Sequence, residues 1–296
     1  MKFVRSILFA LILLPLVAGA QAPTSQRGIG PFTLQARNGS AEVRLVRLDR
    51  DMLWVDQQTR DGRYVEVGVP RANIISITVP PIAVLEAARR ASTTQQIAQV
   101  EQPLRRVVDT LRVYRDLPGI PFYDAELILG RMLMTQGRDT ESLNALSDVV
   151  ANSKDPAFQQ EANLRKGLIL ARQGKNEEAL TILENISFPE DDPLLTDDLY
   201  FARANAKAAV GRHRDALMDF FYPVVFAPTI NRAEPRALFA ALPSLVAIDD
   251  WISVARTLDV LHAEFGKEPE TEKADEWARQ YQKQLGIEQS YQVPGS

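Results

Sequence analysis

Between Ala41 and Val79 apolar and charged positions alternate with a period near two: Val43, Leu45, Val46, Leu48, Leu53, Val55, Tyr64, Val65 and Val67 are set among Arg, Asp and Glu. That period places one set of side chains on one face of a strand. Asp49 to Asp51 and the pair Asp61-Gly62 separate the runs, and Asp-Gly suits a tight hairpin in which both turn residues take positive φ. A fourth run, Ile74 to Val79, comes after Pro70. Four short strands predict a small curled antiparallel sheet or barrel, too small to bury much apolar surface unless it packs on the next part of the chain or on a partner. After Pro80-Pro81 the spacing changes to three and four, through Ile82, Leu85 and Ala88 and then Ile97, Val100, Leu104, Val107, Leu111 and Tyr114. Pro103 either kinks the second of these helices or opens a new one as a first-turn residue. Leu117-Pro118-Gly119 stops it, and from there to about residue 285 the pattern is helical throughout.

Within the helical region the sequence repeats at an offset of 37. Gly130, Gly167 and Ala204 form one column, and Gly137, Gly174 and Gly211 a second. Ser142, Ala179 and Ala216, then Leu143, Leu180 and Leu217, then Leu146, Leu183 and Phe220 complete the set. Small residues in the first and third columns let two helices cross closely. The glycine column ends the first helix of each pair, where glycine takes left-handed φ without strain.

The segments LGRMLMTQGRDTESLNAL, KGLILARQGKNEEALTIL and RANAKAAVGRHRDALMDF resemble the tetratricopeptide repeat family in their small residue, helix-ending glycine, small-Leu pair and later large apolar residue. The resemblance covers about residues 121–228. It departs from the family in its longer period, in Lys166 and Arg203 where Leu is usual, and in a closing proline displaced to Pro156, Pro193 and Pro228. It implies a mainly α fold: antiparallel helix pairs stacked into a right-handed superhelix that binds peptides or proteins on its concave face. Degenerate pairs flank the array, at 82–115 and at Pro235 to Ala247 with Trp251 to Phe265, capped by Gly266. Thr271 to Leu285 suits the polar capping helix such arrays need. In size and in its closing segment VPRANIISITV the β region resembles SH3-like or Sm-like barrels.

Composition adds compartment and chemistry. Lys2 and Arg5 precede an apolar run from Ile7 to Val17 and the small-residue segment Ala18-Gly19-Ala20. This is the pattern of an export signal cut between Ala20 and Gln21, and the run is short of the roughly 20 residues that span a bilayer. The expected organisation is therefore a signal over 1–20, a small β module over 21–80, a helical repeat domain over 81–286 and a flexible tail over 287–296. The mature chain is expected to be soluble, periplasmic or secreted, with no transmembrane segment. Residues 21–80 carry eight Arg and no Lys against six acids, whereas residues 81–296 carry 24 basic against 32 acidic residues. Neither part has the basic stripe of a nucleic-acid binder. The chain has no cysteine, which excludes thiol nucleophiles, disulfides and Cys-ligated metals.

Candidate groove residues on the first helices are Leu127, Leu164 and Phe201, with Arg131, Leu168 and Asn205 one turn on and Thr135 and Arg172 beyond them. An apolar line with a few Arg and Asn groups suits a peptide of some acidic character; the alternative for Leu127, Leu164 and Phe201 is inter-repeat core. His213 and His262 have no metal-ligand spacing, and His213 reads as a turn residue while His262 meets a helix C-terminal dipole. Glu190-Asp191-Asp192, Asp197-Asp198 and Asp249-Asp250 stand before helices, where acids cap. Trp54, Trp251 and Trp277 read as strand and helix anchors. No catalytic motif, metal site or cofactor site is expected. The sequence reads as an exported scaffold for a protein or peptide partner in the cell envelope. The alternatives are a peptidoglycan-acting enzyme on a helical superhelix, and glycan or cell-wall peptide binding by the β module.

Overall fold

The computed structural model describes residues 28–186, 193–226 and 233–286. The export signal, the Ala20/Gln21 cut, the group Glu190-Asp191-Asp192, Pro228 and the 287–296 tail lie outside the described residues. The chain divides into two compact units, residues 1–136 and 137–296.

The first unit begins with a five-stranded antiparallel sheet: β1 (Ile29–Ala36), β2 (Gly39–Leu48), β3 (Met52–Gln58), β4 (Tyr64–Pro70) and β5 (Ile74–Thr78), in the order β4-β3-β2-β1-β5. The last four strands are those the alternation predicts. β1 is additional, because Gly30 and Pro31 read as breakers and leave only Phe32 and Leu34 to show the period. The hairpin at Asp61-Gly62 is a wider loop than expected. Thr59 N–H donates to Arg63 O, and only Gly62, at φ 82°, takes left-handed backbone. A single 3-10 turn at Arg71–Asn73 carries the chain from β4 to β5.

Alternate residues of the strands, among them Phe32, Leu34, Val43, Leu45, Leu53, Val55, Val69 and Ile77, form the inner face of the sheet. They share one buried cluster with α1 (Ala83–Arg90), α2 (Thr94–Arg112) and α3 (Phe122–Thr135). A sheet face must be covered, and here the succeeding helices cover it. The expected division at residue 80 therefore does not separate two cores. α2 starts at a capping box in which Thr93 Oγ1 accepts from Gln96 N–H while Thr93 N–H donates to the Gln96 side chain. Pro103 lies within α2 and neither starts nor ends it. Leu104, Val108 and Leu111 are buried beyond it, so packing keeps the helix running.

The second unit holds α4 (Asp139–Asn152), α5 (Pro156–Arg172), α6 (Asn176–Leu183), α7 (Pro193–Ala209), α8 (His213–Phe226), α9 (Ala233–Ala247), α10 (Trp251–Phe265) and α11 (Pro269–Ala278). α5/α6, α7/α8 and α9/α10 are packed pairs, α4 lies on α5, and α11 lies on α9 and α10. The column glycines end their helices as expected, with φ 73° at Gly137, 77° at Gly174 and 80° at Gly211. Beyond them, Lys175 N–H bonds Leu170 O and Arg212 N–H bonds Lys207 O. The fourth pair repeats this terminator without glycine: Asp249 takes φ 60° and Asp250 N–H bonds Leu245 O. The small-residue column continues as Ala241, fully buried like Ala204.

Several local expectations change. Pro156 and Pro193 open helices rather than closing them, Pro156 as a first-turn residue behind the Asp155 cap. Gly266 caps α10 with right-handed backbone, φ −57°. Asp197 and Asp198 lie inside α7 rather than before it, whereas Asp250 is the N-cap of α10 and accepts from Ser253 N–H at 3.0 Å.

Candidate functional site

The eight groove candidates divide between the two units. In the first unit Leu127 is buried, which removes it from a ligand-facing surface. Arg131 is committed elsewhere, since its Nη2 donates to Ala88 O at 3.2 Å and Arg89 O at 3.0 Å, carbonyls left open at the C-terminus of α1. Thr135 is exposed and its hydroxyl donates to Arg131 O. Leu164 of the second unit is fully buried with Ala179, Leu183 and Leu199. Leu164 is thus core, because α5 packs on α6 as well as on α4 and α7 and has few faces left for solvent.

Leu168, Arg172, Phe201 and Asn205 remain on the first-helix surface of the second unit, where α5 packs on α7 and α7 on α9. Leu168 and Phe201 are half-buried, and Arg172 and Asn205 exposed. Arg172 forms an ion pair with Asp139 at the start of α4, and Gln173 Nε2 donates to the same carboxylate. Asn205 Nδ2 donates to Phe201 O at 2.7 Å. The Phe201 ring meets Phe220 edge-on at 5.8 Å. Over it lies a group that periodicity alone did not single out: the Arg236 guanidinium, 3.7 Å from the ring centroid. The signal for Arg236 is in its column, which holds buried Ala125, Ala162 and Leu199 in the preceding units and an exposed arginine only here. Burial and then the adjacent Asp198 push the Asp197 carboxyl above its ordinary range, while Arg236 opposes the shift.

The other polar cluster of this unit faces inward. Asp219 of α8, 4% exposed, accepts a two-pronged contact from Arg203 at 2.7 and 2.6 Å and a third bond from Lys207 Nζ at 2.7 Å. This explains Arg203 in a column where Leu is usual; nothing in the structure explains Lys166. His213 begins α8 with Nδ1 3.4 Å from Ser244 Oγ, and His262 Nε2 lies 2.6 Å from Asp275 Oδ1, tying α11 to α10. Among the described residues no group of three His, Asp or Glu is placed to hold a metal ion, and no helix is long and apolar enough to cross a membrane.

No family model matches the chain, and no curated protein matches it. Solved structures similar to it include the Podosopora anserina putative kinesin light chain with nearly identical TPR-like repeats, at 17% identity over 70% of this chain and 96% of that one, TM-score 0.44. A single-substitution variant of the same protein scores 0.45. Also similar is PilW, a widely conserved type IV pilus biogenesis factor, at 17% identity over 64% of this chain and 90% of that one, TM-score 0.45. By its own recurring helix pairs, with their small-residue crossings and shared left-handed terminators, the chain has a mainly α, TPR-like helical fold preceded by a small antiparallel β sheet.

Proposed function

We propose that the protein is an exported, non-enzymatic scaffold that binds a protein or peptide partner in the cell envelope. The observation that carries this reading is the first-helix surface of α5, α7 and α9, where half-buried Leu168 and Phe201 lie with exposed Asn205 and Arg236. Apolar side chains for anchoring and a guanidinium held over an aromatic ring suit a peptide with apolar and acidic residues. Export rests on the signal pattern of residues 1–20. The buried charge cluster around Asp219 supports a structural reading over a catalytic one, since its carboxylate is already shared between two cations.

The test is capture from envelope extract by the tagged full chain and by its Arg236→Glu and Phe201→Ala variants, each checked for helicity and unfolding midpoint. Proteins retained by the parent and lost from both variants support the reading. Equal capture by folded variants moves the binding surface away from α7 and α9.

A further inference from the structure

β1 and β5 pair from Ala36↔Ile74 out to Thr33↔Thr78. One and two residues further, the register would set Phe32 against Val79 and Pro31 against Pro80. Proline has no N–H to donate, so the ladder cannot continue. β1 nevertheless extends back to Ile29, held from its other side by β2 through Ile29↔Leu45, while β5 leaves through Pro80-Pro81. The two proline-bearing ends part over α2, and between them lies an open cleft of about 360 Å³. Its lining is apolar, with Ile29, Phe32, Val79, Ile82 and Val107 prominent, and the prolines hold its walls stiff. The polar side chains at its edge are Arg106 and Thr110.

Arg106 stands apart from its neighbours on α2. Arg105 pairs with Glu101 at 3.0 Å, and Arg112 with Glu126 at 3.7 Å and Asp109 at 4.0 Å. Arg106 is exposed and has no carboxylate within ion-pair distance among the described residues. Thr110 sits one turn on and donates to Arg106 O at 2.7 Å, leaving its oxygen lone pairs toward solvent. A stiff apolar wall with one uncommitted guanidinium at its rim is complementary to an apolar side chain next to a carboxylate. The cleft is open along one side, which suits a chain segment laid across it better than an enclosed small molecule.

We propose that this cleft is a second binding site, separate from the helical surface of the other unit. It takes an extended acidic peptide, seating an apolar side chain against Phe32, Val79 and Val107 and pairing a carboxylate with Arg106.

The probes are the blocked tripeptide acetyl-Leu-Leu-Glu-amide, its Leu-Leu-Gln counterpart, and decanoate, each titrated into the isotopically labelled chain from Gln21 onward while amide shifts are followed. The Glu peptide is expected to move the amides of Gly30, Phe32, Val79 and Val107, and to bind more weakly at high salt. Replacing its Glu by Gln, or Arg106 by Gln in the protein, should each weaken binding about three- to tenfold, and the two together no further. Equal binding of the two peptides, or indifference to Arg106→Gln, overturns the proposal. Decanoate saturating these amides while neither peptide does so makes the cleft an amphiphile site and overturns it also. Peptide binding seen only after removal of residues 21 to 27 makes the chain's own N-terminal segment the occupant, which likewise overturns the proposal.

Discussion

Gly167 lies where α5 crosses α6, and a Cβ built there would stand 2.5 Å from Leu183 Cδ2 and 2.7 Å from its Cγ. Two effects compete in Gly167→Ala. Alanine gains about 1 kcal/mol in helix propensity, but forcing a methyl into a filled crossing costs about 1–3 kcal/mol. Because Leu183 is fully buried and has little room to yield, the variant should be less stable in urea unfolding by about 1 kcal/mol. In a Leu183→Ala background the same change should become stabilising. Gly174→Ala fails for another reason. No atom lies within 4 Å of its Cβ, yet φ is 77°, and the cost of about 1–2 kcal/mol should persist when Leu183 is removed. Asp197 offers a residue-scale test of pH. Its folded pKa is raised above the unfolded value by burial and Asp198, so its ionisation at neutral pH opposes folding, and that opposition fades as pH falls through the raised value toward the ordinary carboxylate range. Asp197→Asn should therefore stabilise the chain at pH 7 and diminish the gain in unfolding midpoint on mild acidification. An unchanged midpoint at pH 7 would place the carboxylate in water.

At the scale of elements, the recurring helix pairs are legible in the sequence because their constraints are local. A left-handed terminator needs glycine, a close crossing needs a small residue, and both show at a fixed spacing. Features outside the columns depend on a second element. Arg203 is intelligible only with Asp219, which lies in a column otherwise held by Ala145 and Ile182. Arg236 matters because the Phe201 ring of α7 lies beneath it. Arg131 and Leu127 read as groove residues because periodicity gives a helix face and not the element that covers it. The contact between Arg203 and Asp219 fixes α7 against α8, with Arg203 also lying 4.6 Å above the Tyr200 ring, itself stacked on Tyr222 at 3.7 Å. Asp219→Ala leaves Arg203 without its carboxylate and Lys207 with only Glu184, at 4.0 Å, and should cost about 3–5 kcal/mol in urea unfolding. Replacing Arg203 by Met as well should recover part of this, although Lys207 stays behind; additive losses in the double variant would show that the two groups do not act as one contact.

For the whole molecule, a change of period from two to near four marks where strands give way to helices, and a domain boundary is naturally expected there. Burial obeys a different rule. The apolar face of the sheet is closed by α1, α2 and α3, and the buried cluster runs from Phe32 to Leu133 without a break at residue 80. The buried clusters of the second unit run over Leu164 to Ala202 and Ala204 to Ala278. Cooperativity should track these cores rather than the secondary-structure period. The tryptophans allow a test, because Trp54 belongs to the first unit and Trp251 and Trp277 to the second. In a chain whose sole tryptophan is Trp54, Asp219→Ala should leave the urea midpoint of the fluorescence change in place. In a chain with Trp54→Phe that keeps the other two, the same substitution should move the midpoint down by an amount matching the loss argued for α7 and α8. If the Trp54 signal moves down equally, the two units unfold as one and the cores are not the cooperative elements. A break between strands and helices would instead leave the Trp54 midpoint unmoved by Phe122→Ala, a change that opens a cavity on the helical side of the shared cluster. The shared core predicts the opposite: Phe122→Ala lowers the stability read at Trp54 by about 3–5 kcal/mol, because the fully buried Phe122 ring belongs to the same cluster as the strand residues around Trp54.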